Sequence, residues 1–339
     1  MTALTLPLFA APEKSPLVGI ARLASEGESL REGHNVEYFT LPARSLLNRC
    51  TSRRGLPFTW TINPYRGCEF ACKYCYARYT HEFMEMRDSA EFEQKIYVKQ
   101  HTAELLRHDL RRVKPGETIA LGTATDPYQP AERRYEITRG ILQEFARHRG
   151  FELGIVTKSN LIVRDLDLLR EVALNNSLSI HVTVTTMNVE LARILEPRAP
   201  RPDLRIDAVR QLSESGINVG VSSSPVLPGI TDSPAGLEDV VRAAAAAGAH
   251  HIFAGPLFLK PCSAAVFLPV LEEQFPYLVE NYRQRYQDRS FLPPSYGKRI
   301  AQLIAQFRQK YGIKRADPRG TMYANNWPVQ ALDEQLALF

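Results

Sequence analysis

The chain has no run of apolar residues approaching 18, so nothing in its sequence reads as a membrane-spanning helix. It lacks a charged amino-terminal patch followed by an apolar core, so no secretory signal is expected. Cysteine is scarce, five in 339 residues, and three of the five fall between positions 68 and 75. That distribution excludes a disulfide scaffold and fits a reducing, cytoplasmic compartment. Acidic residues are nearly missing from one stretch. Between Asn281 and Arg319 ten Lys or Arg face only Asp288 and Asp317, so this segment carries +8 and the rest of the chain −3 of a net +5. A basic segment of this kind suits a polyanionic partner or a solvated helix face. It interleaves Tyr282, Tyr286, Phe291, Tyr296, Phe307 and Tyr311, a composition suited to phosphate contact plus base stacking or to the core of capping helices.

What is present is a β/α alternation. Residues 1 to about 55 show few periodic apolar positions and read as an irregular segment, with Arg44, Arg49, Arg53 and Arg54 around Cys50. Strand-like segments follow at Phe58–Ile62, Thr118–Ala124, Phe151–Thr157, Leu178–Thr185, Ile217–Val221 and His251–Ala254. Helical periodicity separates them, as in Ile141, Leu142 and Phe145 or Ile206, Val209 and Leu212. Six strands alternating with helices predict parallel pairing through right-handed crossovers, closing partway into a barrel or opening into a doubly wound sheet. Past Pro261 the pattern becomes helical, with helices expected around Ala264–Tyr286 and Ser295–Tyr311. The expected division is residues 1–55, a core at 56–262 and a helical carboxy-terminal extension at 263–339.

The stretch Asn63 to Arg78 reads N-P-Y-R-G-C-E-F-A-C-K-Y-C-Y-A-R. Cys68, Cys72 and Cys75 hold a C-x3-C-x2-C spacing, and three thiolates packed so closely can converge on one metal centre. A closed structural zinc site wants four ligands, and the next cysteine, Cys262, is far away in sequence. The spacing alone allows zinc, a passive iron–sulfur cluster or a cluster with one iron left open. In parallel β/α folds binding groups gather where strands end, and those positions here are polar. They are Gly122–Glu132 with Asp126, Tyr128 and Gln129; Thr157–Asn160 with Lys158; Thr183–Thr186; Glu196–Pro200 with Arg198; and Ser222–Gly229 with Ser224. Asp126 before Pro127 also fits a turn start, and Thr183 with Thr185 also fit plain strand preference.

N-P-Y-x-G-C, C-x-Y-C-Y-A-R, T-D, T-K, E-P and S-P-V, spread over Thr59 to Lys260, resemble together the radical S-adenosylmethionine superfamily, in its spore-photoproduct-lyase-like (DNA repair photolyase-like) branch. The resemblance implies an incomplete (β/α)6 TIM-like barrel. It implies a [4Fe-4S] cluster on Cys68, Cys72 and Cys75, whose open iron chelates S-adenosyl-L-methionine and cleaves it reductively to a 5′-deoxyadenosyl radical. Carried over, Lys158 approaches the S-adenosylmethionine carboxylate, Thr183 and Thr185 its ribose or amino group, Tyr74 its adenine, and Ser224 belongs to the same bed. Asp126, Tyr128 and Arg198 become candidates for substrate contact, with Gln129 beside them. An electron donor such as flavodoxin or ferredoxin is implied, and DNA as substrate. The alternatives are a non-catalytic iron–sulfur or zinc module binding nucleic acid, and a radical enzyme acting on a peptide or small molecule. Two positions depart from the branch. Thr123 stands where the lyases keep a hydrogen-donating cysteine, and Phe70 where histidine is frequent. The chain ends in Gln335-Leu336-Ala337-Leu338-Phe339, which resembles the peptide that docks on the bacterial sliding clamp; Thr5–Phe9 echoes it without the glutamine.

Overall fold

The computed structural model describes residues 17–33, 35–50 and 56–313. Eleven strands are found among them, β1 Ser29–Gly33, β2 Val36–Leu41, β3 Leu47–Arg49, β4 Trp60–Ile62, β5 Tyr65–Arg66, β6 Lys95–Lys99, β7 Thr118–Leu121, β8 Glu152–Thr157, β9 Ser177–Thr183, β10 Val219–Val226 and β11 His251–Pro256. They form two sheets. The larger has the order β11-β10-β9-β8-β7-β4-β3. Its six strands from β4 to β11 pair in parallel, and β3 adds antiparallel at the β4 edge. Each expected strand is one of these six, and the order follows the sequence, as successive right-handed crossovers dictate. The result is an incomplete (β/α)6 barrel.

Apolar burial explains why these short strands hold. Ile119, Ala120 and Leu121 of β7 are fully buried, as are Ile155, Ile180, Val182, Val219 and Val221. Both faces of each strand are covered, the usual condition of parallel sheets. Helices supply the outer cover through their apolar stripes, for example Leu237, Val240, Val241 and Ala244 of Pro234–Ala246. Strand ends are set locally. Gly122, at φ +92°, turns the chain after β7, where a Cβ would lie 2.6 Å from Val156 O.

Two regions differ from expectation. The stretch before residue 55 carries a helix, Gly19–Ser25, and three strands. Its β1–β2 hairpin joins β6 and β5 in the smaller sheet, order β1-β2-β6-β5. These strands are short and flanked by charge, so no periodicity announces them; Lys95–Lys99 was likewise not expected as a strand. The expected helix Ala264–Tyr286 is two, Pro261–Gln274 and Val279–Tyr286, parted at Pro276. Proline disfavours helical backbone in the residue before it, and Phe275 there leaves the helical region, at φ −140° and ψ 54°.

The basic carboxy-terminal helices pack back on the barrel. Arg283 pairs with Glu272, Arg299 with Asp232 and Lys310 with Glu238. The interleaved aromatics pack too. Tyr282 donates to Pro228 O at 2.9 Å, Tyr286 to Leu257 O at 3.1 Å and Tyr296 to Asp232 at 2.9 Å. Most of that stretch is therefore barrel cover. Among the described residues no helix is long and apolar enough to cross a membrane. Arg53, Arg54, Thr5–Phe9 and the expected clamp peptide Gln335–Phe339 lie outside the described residues.

Candidate active site at the cysteine loop

Strand β4 runs straight into Asn63–Arg78, and neighbouring loops clamp that segment from several sides. Asn63 Oδ1 accepts from Ala124 N at 2.8 Å. Gln129 accepts from Glu69 N at 3.0 Å and donates to Gly67 O at 3.1 Å, and Thr125 Oγ1 donates to the same carbonyl at 2.6 Å. Arg78, fully buried, donates to Cys72 O at 3.1 Å and Ser89 O at 2.6 Å and pairs with Glu93. Ser263 Oγ donates to Cys75 O at 2.8 Å. Cys68 N donates to Phe92 O at 2.9 Å. A loop with this many buried backbone groups is stable only because each has a partner.

Gly67 sits at φ +83°, and a Cβ there would fall 2.7 Å from Lys95 O and 2.8 Å from Phe92 O. Both are backbone atoms of a paired segment and cannot swing away. Gly67→Ala is expected to cost roughly 1–3 kcal/mol through strain and overpacking. The check is a denaturant melt beside iron content after reconstitution, and both should fall.

The three thiols share a largely dry pocket, with Cys72 buried and Cys68 and Cys75 half-buried, and none is in a disulfide. Burial is the main cause pushing each thiol up, with Asp126 adding to it at Cys68. Lys158 pulls the other way at Cys72, which still stands at about 12. A cationic centre is what would ionise such thiols. Among the described residues no group of three or more His, Cys, Asp or Glu is placed to hold a metal ion. Three soft thiol donors on one loop are the donor type of an iron–sulfur cluster, and a closed zinc site would want a fourth ligand.

A second set of residues converges beside Cys72. The Glu196 carboxylate accepts from Tyr74 OH and from Thr185 Oγ1, the latter at 3.1 Å, and pairs with Arg205 at 2.5 Å. Arg205 also donates to Thr183 O at 3.1 Å and Pro200 O at 2.6 Å. Lys158 Nζ lies 5.7 Å from the centre of the Tyr74 ring. Burial lowers the Lys158 pKa, but its ammonium lies within reach of Glu196 and of Cys72 once that thiol ionises, and together they hold the pKa up. The Glu196 carboxyl is held low: burial opposes ionisation, and Arg205 and Lys158 overcome it. Tyr74, Lys158, Thr183 and Thr185 are thus brought together next to the cysteines. From the sequence Glu196 was singled out only within the E-P motif, and Arg205 was given no role. A signal existed: Arg205 stands on the buried stripe Pro202, Arg205, Ala208, Val209, Leu212, where a cation needs a partner.

The other candidates are scattered. Asp126 is near Cys68, and its carboxylate accepts from Thr157 Oγ1 at 2.7 Å, Lys158 N at 2.7 Å and Tyr128 N at 2.9 Å. It braces the end of β8 against the loop after β7. Tyr128 is buried in the main core. Arg198 is exposed, its N–H donating to Phe70 O at 3.4 Å. Ser224 Oγ accepts from Gly255 N at 2.8 Å, tying β10 to β11. Phe70 packs with Cys72, Tyr74 and Leu195, so the position where histidine is frequent is apolar filler here. Thr123 is half-buried, its carbonyl taken by Tyr76 OH. Cys262 lies in the first turn of helix Pro261–Gln274 beside Ser263, whose Oγ bonds Cys75 O, while the Cys262 thiol itself is next to Ser263 Oγ and Glu82. Of the aromatics named from the sequence, Phe291 joins a cluster whose other members were missed. Tyr76, which with Cys68 and Cys75 packs on Ala77, Phe92 and Ala124, lies 6.1 Å from Phe258, and Phe258 stacks on Phe291 at 4.6 Å. Lys260 Nζ lies 3.7 Å from the Tyr79 ring centre.

Comparison with known proteins agrees with this geometry. Residues 62–242 match the profile of the Radical SAM superfamily. An uncharacterized protein of Mycobacterium tuberculosis is 38% identical over 301 residues, 87% of this chain and 88% of its own length. An uncharacterized protein of Methanocaldococcus jannaschii is 32% identical over 173 residues, 51% of this chain and 62% of its own. Among solved structures, a spore photoproduct lyase variant superposes with a TM-score of 0.59 at 14% identity, covering 81% of this chain and 79% of that one. Another variant of that lyase, with bound AdoMet and dinucleoside spore photoproduct, gives 0.58 at 15% identity over 80% and 79%. At such identities the likeness is one of fold.

Proposed function

This chain belongs to the radical SAM superfamily, and on that footing we propose that it is an enzyme acting on a nucleobase within DNA. When bound, a [4Fe-4S] cluster with S-adenosylmethionine supplies reductive cleavage to methionine and a 5′-deoxyadenosyl radical that takes a hydrogen atom from the substrate. Cys68, Cys72 and Cys75 would hold the cluster. The chain's own part is binding, orientation and exclusion of water. Lys158, carrying its positive charge beside Cys72, would attract the carboxylate of S-adenosylmethionine. Tyr74 and Thr185 are fixed by Glu196 and offer a rigid wall whose hydroxyls cannot wander. Arg205 keeps Glu196 ionised, so that the wall stays in place. Asp126 holds the Lys158 backbone and so positions its side chain.

The observation that supports the nucleobase reading is the aromatic cluster of Tyr76, Phe258 and Phe291, which reaches the cysteine loop through Tyr76, with Lys260 against Tyr79. Flat rings with a cation suit stacking of a base and contact with its phosphate. The fold shared with spore photoproduct lyase supports the same choice, by analogy alone. Thr123 argues for a different outcome once the substrate radical exists, because an O–H gives up a hydrogen atom far less readily than a thiol. Cys262 is the thiol available nearby. An electron donor of the flavodoxin or ferredoxin type would complete the system.

The test is anaerobic reconstitution with S-adenosylmethionine and dithionite, with undamaged or ultraviolet-irradiated DNA and 5′-deoxyadenosine as readout. Irradiated DNA should raise 5′-deoxyadenosine above the uncoupled level, and Phe258→Ala should remove that increment while leaving the uncoupled level. An increment that survives Phe258→Ala, or no response to any DNA, sinks the nucleobase reading.

A further inference from the structure

The pairing of the small sheet places two cations on one face. Arg66 lies opposite Tyr97 across β5 and β6, and Lys99 lies opposite Leu41 across β6 and β2. Tyr97 and Lys99 are two residues apart on one strand, so Arg66, Tyr97, Lys99 and Leu41 all project to the same side. The opposite face, with Tyr65, Ile96 and Val98, packs against Ala131. Helix Gly19–Ser25 and the loop after β2 close over the cationic side but do not fill it. They leave a cavity of about 450 Å³ whose walls include Ile20, Arg22, Leu41, Arg44, Arg66 and Lys99 and, among the described residues, no Asp or Glu. Lys158, Thr183, Thr185, Glu196 and the three cysteines are not part of its lining.

Lys99 decides what the cavity is for. It is 4% exposed, lines the void, and makes no side-chain hydrogen bond or ion pair among the described residues. Asp109, whose charge reaches Lys99, is already engaged by Ser45 Oγ at 2.7 Å, Leu46 N at 2.7 Å and Leu47 N at 3.1 Å. A buried ammonium with no direct ion pair among the described residues, facing a second buried cation across a void, gains from an anion that joins it. Guanidinium groups suit the oxygens of phosphate in particular. Much of the remaining wall is aliphatic, from Ile20, Leu23 and Leu41, with Ser45 and Asn48 adding polar groups, and the volume is that of a small-molecule site.

We propose that this cavity is a second ligand site, separate from the cysteine loop, which binds a phosphate group through Lys99, Arg66 and Arg44 and rests the ligand's apolar part on Ile20 and Leu41. The phosphate can come from a free nucleotide or from the backbone of a nucleic acid strand, and one set of measurements separates them. In support, burial, with Arg66 adding to it and Asp109 opposing, lowers the Lys99 ammonium to about 7. A bound anion would restore its charge.

The test is isothermal titration calorimetry on the cluster-reconstituted protein without reductant, using inorganic pyrophosphate, ADP and a short single-stranded DNA as probes. Because it reads binding and needs no turnover, it succeeds or fails independently of the radical chemistry. Pyrophosphate should bind, and Lys99→Met should weaken it about tenfold or more, the loss of a charge-assisted bond. Arg44→Ala, a change at an exposed residue, should weaken it severalfold and serves where Lys99→Met fails to fold. Tighter binding of ADP than of pyrophosphate assigns a nucleotide; binding of the DNA in competition with pyrophosphate assigns a strand. Absence of heat with all three probes overturns the inference. So does unchanged affinity in both variants, or competition between pyrophosphate and S-adenosylmethionine.

Discussion

Replacing Cys68, Cys72 and Cys75 together by alanine is expected to abolish iron loading and 5′-deoxyadenosine formation while leaving the barrel folded. The two halves of that result rest on different observations. Loss of the cluster follows from the donor set, since the loop offers three thiols and the described residues offer no single-ion site that could take over. Persistence of the fold follows from how the loop is held. Its bonds run mainly through Asn63, Gly67, Glu69, Arg78 and the carbonyls of Cys72 and Cys75, and the sulfurs add only local bonds, Cys68 with the Phe70 backbone and Cys75 with that of Ala77. The triple variant should therefore show native far-UV circular dichroism, no charge-transfer absorption near the visible range and less than a hundredth of the wild-type product. A variant that kept cluster absorbance would move the centre to other ligands; one that unfolded would make the cluster a folding element.

The barrel was legible because its signal is redundant. Six apolar segments at regular separation, each followed by a helical stripe, leave little choice beyond how far the sheet closes. The cysteine loop was legible for a different reason, as thiolate spacing is a chemical requirement that survives any surroundings. What stayed hidden depends on pairing across distance. The strand Lys95–Lys99 has no alternation of its own, and becomes a strand only because β2 and β5 lie on either side. Tyr128 looked like a strand-end polar group and is core, because the backbone after Pro127 turns its ring inward. The basic aromatic stretch looked like a surface for polyanions, yet Glu272, Asp232 and Glu238 on other elements answer several of its charges. Composition counts charges and cannot see their partners. Arg205 illustrates the converse: its place on an apolar stripe was visible, but the reason for it lay nine positions earlier, at Glu196 on the preceding helix end.

That pair sets the second large effect. Arg205 and Glu196 are almost entirely buried, so Arg205→Met leaves a carboxylate in a dry site with only Lys158 and two hydroxyl donors to offset it. Breaking one side of such a pair costs about 3–5 kcal/mol, and for a chain of this size the melting temperature should drop by about 4–7 °C. The pH dependence distinguishes a lost charge partner from lost packing. In the wild type Glu196 sits below its usual value, so its contribution is present at neutral pH and is lost as pH falls through the acid range. In Arg205→Met the carboxyl rises above its unfolded value, and the variant gains stability as pH falls toward 5. The gap between variant and wild type should accordingly narrow between pH 7 and pH 5. Glu196→Gln placed on Arg205→Met should recover most of the loss, since the amide oxygen still accepts from Tyr74 and Thr185 while the unpaired charge is gone. If the gap is independent of pH and the double variant is no better than the single, Arg205 matters through its volume alone. Its effect on the Tyr74 and Thr185 wall would then have to be sought in S-adenosylmethionine affinity.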